Sequence, residues 1–222
     1  MNILEVKGLK IEEEQNKKNL VNNADFEIEK GKITCMVGGE SGSGKTMTAM
    51  SIIGMLPEGV KATKGGRIIF NGENIFSFSK EKLKNFRGKK IFSIFQNPIN
   101  CFNSSVIMET QIYDMVCSHY NMDKKSFQEK IINIMRNINL KKPEVLLKQY
   151  PFQLSGGMLQ RMMIASAIIM EPDIIIADEP TTALDLVSQK DILNQLKMIK
   201  EKLSTTILMI THDFGGSGRN CR

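Results

Sequence analysis

The spacing of apolar residues changes along this chain, and each change predicts a different element. Up to Phe70 the pattern alternates: Ile3, Leu4 and Val6 precede a Gly-Leu pair, and Phe26 and Ile28 alternate with Glu27 and Glu29 before Lys30-Gly31. A period of two predicts half-buried strands, because successive side chains leave opposite faces. Arg67–Phe70 runs into Asn71-Gly72, two residues that tolerate positive φ and so predict a tight hairpin. Ile33–Val37 is instead a short continuous apolar run, as a fully buried strand requires, and it leads straight into glycines. A helix is predicted from Lys45, with Met47, Met50 and Ile53 on its apolar face and Gly54 and Pro57 ending it.

From 76 to 150 the pattern reads as helical and polar. Ile131, Ile134, Met135 and Ile138 recur at helical spacing, and Pro143 opens another short helical stretch. Beyond residue 155 a helix rich in Met, Ile and Ala leads to the strand Ile174–Ala177. Ile192, Leu196, Ile199 and Leu203 predict a helix over 186–203, and Ile207–Ile210 predicts a further buried strand. Strands alternating with helices imply an α/β fold, its parallel sheet joined by right-handed crossovers.

Composition narrows the class. A chain of 222 residues allows one large domain, or one with a small insertion, at ~150 residues per domain. With 41% hydrophobic and 24% charged residues it is not a disordered chain. No apolar run approaches the ~18 residues of a membrane span, and no basic segment followed by an apolar one marks a secretory leader. Cys35, Cys101, Cys117 and Cys221 lie far apart without a CxxC pair, so neither a zinc site nor a disulfide framework is expected, and a reducing cytosol is the expected compartment. The net charge is +6. The densest basic stretch, Lys80, Lys82, Lys84, Arg87, Lys89 and Lys90, has a single aromatic, Phe86, and no stacking pattern, and reads as solvated surface, not as a nucleic-acid contact.

Three segments carry chemistry. Gly39-Glu40-Ser41-Gly42-Ser43-Gly44-Lys45-Thr46 has the spacing GxxxxGK[ST] between a predicted strand and a predicted helix. Glycines let backbone N–H groups wrap a β-phosphate at the positive end of the helix. Lys45 reaches the β- and γ-phosphates, and the Thr46 hydroxyl binds Mg²⁺. The strand Ile174–Ala177 ends in Asp178 and Glu179: Asp178 is expected to hold Mg²⁺, directly or through water, and Glu179 to act as general base on the attacking water. In Leu154-Ser155-Gly156-Gly157-Met158-Leu159-Gln160-Arg161, a Ser and two glycines open a helix and make a second anion cradle.

That last segment, after the phosphate loop and before the two acids, resembles the signature of the ATP-binding cassette ATPases, and the resemblance extends over almost the whole chain. It implies a P-loop NTPase (RecA-like) parallel-sheet core, an N-terminal antiparallel β subdomain and an inserted helical subdomain. The implied organisation is one ATPase domain over 1–222: β subdomain and phosphate loop over 1–75, helical subdomain with Gln96 and the signature over 76–165, the two acids, Asp185 and His212 over 166–214, and an atypical tail over 215–222. The resemblance further implies that Ser155, Gly156 and Gly157 close over ATP held by a facing cassette. By the same route Gln96 contacts Mg²⁺ or water and faces the membrane subunits, Asp185 lies in the loop between the two cassettes, and His212 is the switch histidine near the γ-phosphate. His119 has no comparable setting and is read as incidental.

Within the family, GESGSGKT, SGGMLQRMMIA and IIIADEPTTALD look most like importers of the dipeptide, oligopeptide and nickel group. Phe95-Gln-Asn-Pro, Cys101-Phe-Asn103 and Tyr150-Pro-Phe look most like the nickel-import subunit. The implied function is ATP hydrolysis coupled to uptake at the cytoplasmic face of the membrane. The implied cofactors are ATP and Mg²⁺. The implied partners are a second cassette subunit (a different one in preference to a copy), two permeases and, indirectly, an extracytoplasmic binding protein. A soluble cassette acting on nucleic acid or ribosomes, and a cassette that binds nucleotide without hydrolysing it, are the rival readings. Two departures stand out: residues 14–20 hold no aromatic where the family stacks one on adenine, and the glycine-rich end from Gly215 lacks apolar periodicity, which is expected to mark a truncation or frameshift.

Overall fold

The computed structural model describes residues 1–38, 44–63, 65–181 and 186–212. Two long strands, β1 (Asn2–Glu13) and β2 (Asn19–Glu29), pair antiparallel and are followed by β3 (Ile33–Val37) and helix α1 (Lys45–Ile52). Next come β4 (Val60–Ala62), β5 (Arg67–Phe70), β6 (Glu73–Asn74), α2 (Lys80–Phe86) and β7 (Ile91–Ile94). The chain continues through α3 (Met108–Cys117), α4 (Lys124–Asn137), α5 (Pro143–Leu146) and α6 (Gly156–Met170), then β8 (Ile174–Asp178), α7 (Leu186–Leu203) and β9 (Thr206–Thr211).

The strands form two sheets. One is antiparallel, in the order β2-β1-β5-β6 with β4 also on β1; the other is parallel throughout, in the order β3-β9-β8-β7. Asn71-Gly72 makes the turn the sequence predicts: φ is 47° and 85° at the two residues, and Phe70 pairs with Glu73.

The parallel sheet lies between two cores. Ile174, Ile176, Leu208 and Ile210 pack with α1 and the antiparallel sheet, whereas Ile175, Ala177 and Ile207 pack with α3, α4, α6 and α7. Ile131, Ile134, Met135 and Ile138 are all buried in the helical core, as are Ile192, Leu196 and Ile199.

The structure corrects the sequence reading in four places. The polar middle of the chain contains β7, a four-residue strand with no alternation to announce it. The buried face of α1 is Thr48, Ala49, Ser51 and Ile52; of the residues expected there Ile53, at the C-cap, is buried, while Met47 and Met50 stay partly exposed. Small residues are used because α1 is packed tightly. Its buried hydroxyls find local acceptors: Thr48 Oγ1 donates to the Gly44 carbonyl at 2.9 Å and Ser51 Oγ to the Thr48 carbonyl at 2.7 Å. Arg87 is not part of a solvated face, because its guanidinium is turned inward onto backbone carbonyls. Cys35 on β3 is disulfide-bonded, which its isolated position in the sequence does not suggest, while Cys101 and Cys117 are free. Among the described residues no helix is long and apolar enough to cross a membrane.

Candidate active site

All four parallel strands send their carboxyl ends to one edge of the sheet, which is where α/β sheets bind ligands. β3 delivers the chain to the glycine-rich segment before α1, and Gly44 caps the N-terminus of α1 with φ 79°. A side chain there would collide with the Leu20 carbonyl, 2.5 Å from an ideal Cβ, so only glycine fits between α1 and β2. Lys45 Nζ donates to the Gly38 carbonyl at 3.2 Å, which holds the ammonium beside the start of the loop. The proposed loop residues Gly39, Glu40, Ser41, Gly42 and Ser43, and likewise Asp185, lie outside the described residues.

Asp178 ends β8 and is only 7% exposed. Burial pushes its carboxyl above the ordinary aspartate range; the Thr46 hydroxyl bonded to it opposes the rise, the charge on Glu179 adds to it, and Lys45 opposes it. Its Oδ1 is buried without a hydrogen-bond partner. A buried carboxylate oxygen left unpaired beside a threonine hydroxyl suits a divalent cation, which would supply the missing partner and favour the charged form.

Glu179 has φ 46°, a left-handed conformation that costs a non-glycine residue energy. Its amide is held by the Ile210 carbonyl at 2.9 Å, so β9 fixes the residue in that state. The turn aims the carboxylate sideways along the sheet edge. There Glu179 Oε2 accepts from Gln96 Nε2 at 3.1 Å, and Glu179 Oε1 lies 3.1 Å from His212 Nδ1. Gln96 follows β7, Glu179 follows β8 and His212 follows β9. Three residues widely separated in sequence thus meet on one carboxylate.

Ser155 lies elsewhere, at the N-cap of the fifteen-residue α6, with its Oγ accepting from the Met158 amide at 3.3 Å. Ser155 and Gly156 are exposed and Gly157 is half-buried, so the first amides of α6 open towards solvent. α6 itself packs on α3, α4, α7 and β7. His119 joins neither group; its Nε2 faces Gly88.

Residues 21–182 match the family described as ABC transporter. The chain belongs to this family. It is an ABC ATPase, built on the cassette fold. It is 41% identical over 213 residues to the metal-staphylopine import system ATP-binding protein CntD of Staphylococcus aureus, covering 96% of this chain and 78% of that protein. It is 40% identical to the dipeptide transport ATP-binding protein DppD of Bacillus subtilis, covering 88% of this chain and 58% of that one. Among solved structures, a dimeric ATP-binding cassette in a post-hydrolysis state bound to ADP and Pi superposes with a TM-score of 0.81 at 25% identity, covering 95% of this chain and 88% of that one. The cbiO1 protein of Clostridium perfringens, part of the ABC transporter complex cbiONQ, shares the fold with the same TM-score at 24% identity, covering 99% and 82%. One residue of this ABC ATPase that the sequence reading left in the basic stretch, Arg87, is tied to α1; a lone arginine among lysines carries no sequence signal of that.

Proposed function

We propose that this ABC ATPase is the energising subunit of a membrane importer that takes up peptides or a metal held in a small chelate, nickel among the metals. Hydrolysis would be coupled to uptake at the cytoplasmic face of the membrane. The names of its relatives at 40–41% identity support that substrate range. The observation that carries the catalytic part is the meeting of Gln96, Glu179 and His212 at one carboxylate.

In this reading Glu179 takes the proton of the attacking water, and its two neighbours hold the carboxylate in the geometry that transfer needs. His212 sits on the outer side, 52% exposed, where the γ-phosphate would approach. Lys45 offsets charge on the β- and γ-phosphates at the N-terminus of α1. Thr46, Asp178 and Gln96 would hold Mg²⁺, which neutralises charge on the phosphate oxygens. Ser155, Gly156 and Gly157 close over ATP held by a second cassette, with Asp185 between the two. Two permeases complete the assembly, served by an extracytoplasmic binding protein. Exposed apolar side chains beside the Gln96 segment and before α6 offer the permeases a surface. Ile99 is 57% and Phe152 71% exposed, and the ring of Phe152 stacks on Tyr150 at 5.6 Å.

Coexpression with a candidate permease pair tests this. The chain should copurify with the membrane subunits, and its ATP turnover should rise when loaded binding protein is added. Recovery with ribosomes or DNA in place of permeases would overturn the importer reading.

A further inference from the structure

Helix α1 starts at Lys45 and Thr46, so any displacement along its axis moves both residues. Its far end is held by one side chain from another part of the chain. Arg87 Nε donates to the Ile53 carbonyl at 2.9 Å, and the same guanidinium donates from Nη2 to the Gly54 carbonyl. These carbonyls belong to the C-cap of α1 and to the residue after it, where the chain turns away with φ 67° at Gly54. Carbonyls at a helix C-terminus lack intrahelical donors, and a guanidinium is the side chain best able to satisfy two at once.

Arg87 also stands at the head of the strand that ends near Gln96. It caps α2, forms a bridge with Ile91, and the Gly88 amide donates to the Ile91 carbonyl at 2.8 Å. The turn is confined on its other side as well. Gly88 has φ 80°, and an ideal Cβ there would lie 2.7 Å from His119 Nε2, just past α3. The 87–88 turn is therefore seated between the end of the nucleotide helix, the start of β7 and the helical region.

We infer that Arg87 is a positioning residue: it locks the helix carrying Lys45 and Thr46 to the strand that leads to Gln96, so that the two halves of the site keep one spacing. The inference rests on the proposed role of Gln96 and adds a second residue that acts through it. Misplacement of reacting groups by about 1 Å can cost roughly 10²-fold in rate. Removing the clamp therefore lowers turnover by changing the spacing between α1 and Gln96, while nucleotide held at Lys45 and Thr46 moves with the helix and keeps its contacts there.

The test uses the full chain, with ATP affinity, kcat and melting temperature measured for Arg87→Lys, Arg87→Ala, Gln96→Ala and Arg87→Lys combined with Gln96→Ala. Arg87→Lys keeps the charge but not the fork, and should fold even if the alanine variant does not. The expected result is ATP affinity within about threefold of the parent, kcat reduced about tenfold or more, and a double variant no slower than the slower single one. Turnover within threefold of the parent in Arg87→Lys, with Gln96→Ala impaired, overturns the inference and leaves the Gln96 assignment standing. Parallel loss of affinity, melting temperature and kcat, or a multiplicative loss in the double variant, overturns it in favour of a purely structural clamp. Normal turnover in Gln96→Ala removes the Gln96 assignment itself, and the inference with it.

Discussion

The carboxyl edge of the parallel sheet and the start of α6, the two regions proposed to meet phosphate, differ in how far the chain completes them. At the carboxyl edge of the parallel sheet, Asp178 is buried, Thr46 bonds to it, and both oxygens of Glu179 face neighbours from other strands. At the start of α6, Ser155 and Gly156 face solvent, and the Ser155 hydroxyl does no more than cap its own helix. The first region is organised from within; the second presents donors outward. In the proposed reading, the anion at the second is the phosphate of ATP held by a facing cassette. Variants in the two regions should fail in different ways.

The largest expected effect is in the inner region. Glu179→Gln should keep ATP affinity near that of the parent and lower turnover by about 10²–10⁴-fold, the usual contribution of a general base. The amide preserves shape and can still meet Gln96 and His212. Nucleotide binding and phosphate release measured on one preparation check this; near-normal turnover would remove Glu179 from the role.

Next, Ser155→Arg should leave ATP affinity of the isolated chain unchanged while cutting turnover of the assembled complex by about 10²-fold, because a bulky side chain prevents close approach of the partner cassette. Equilibrium titration of the isolated chain is the decisive measurement. A collapse of affinity there would mean that α6 works on nucleotide bound in its own chain, so that the two regions form one site.

Lys45→Ala should weaken ATP binding by about 10–100-fold, the value of one charge-assisted phosphate contact of ~1.5–3 kcal/mol. Calorimetry on both proteins measures it, and an unchanged affinity would place the phosphates elsewhere.

The smallest effect concerns stability and pH. Asp178 has a raised pKa in the folded, ligand-free protein, so between the ordinary and the raised value the folded state holds more protons than the unfolded one. Its favourable contribution is complete below the ordinary aspartate range and is lost as pH rises through the folded value. Asp178→Asn should abolish that part of the pH dependence and make the ligand-free protein slightly more stable at neutral pH, while weakening Mg-ATP binding. Melting curves across pH, with and without Mg-ATP, separate the two effects.

The sequence announced some of this more clearly than the rest. The strand at Ile33–Val37 was legible from its short, largely apolar run and the helix at 186–203 from its three-four apolar spacing. The full burial expected of Ile33–Val37 is not seen: all five residues are half-buried, because β3 ends the β3-β9-β8-β7 order. Asn71-Gly72 and Pro143 were legible because their backbone preferences are local. β7 was not, since Ile91–Ile94 is too short to show a period and follows a lysine-rich segment. The face of α1 was misassigned at Met47 and Met50, though not at Ile53, because size, not hydropathy, decides what fits beside Ala49 and Ser51. In the candidate site, Lys45, Thr46, Asp178 and Glu179 could be named from spacing alone, whereas Gln96 and His212 needed a family resemblance. No sequence pattern encodes the contact of Arg87 with Ile53 and Gly54, which depends on the tertiary fold.

The alternating allegiance of β8 has a consequence for accuracy of placement. Ile174 and Ile176 belong to one core, Ile175 and Ala177 to the other. A strand held on both faces has no intermediate resting places: sliding it by one residue, ~3.3 Å, would exchange every side chain between two differently shaped interiors. Its position along its own axis is therefore digital, and so is that of the Asp178-Glu179 pair at its tip. Strain in the surrounding loops does not slide the backbone that carries those carboxylates by a fraction of a register step.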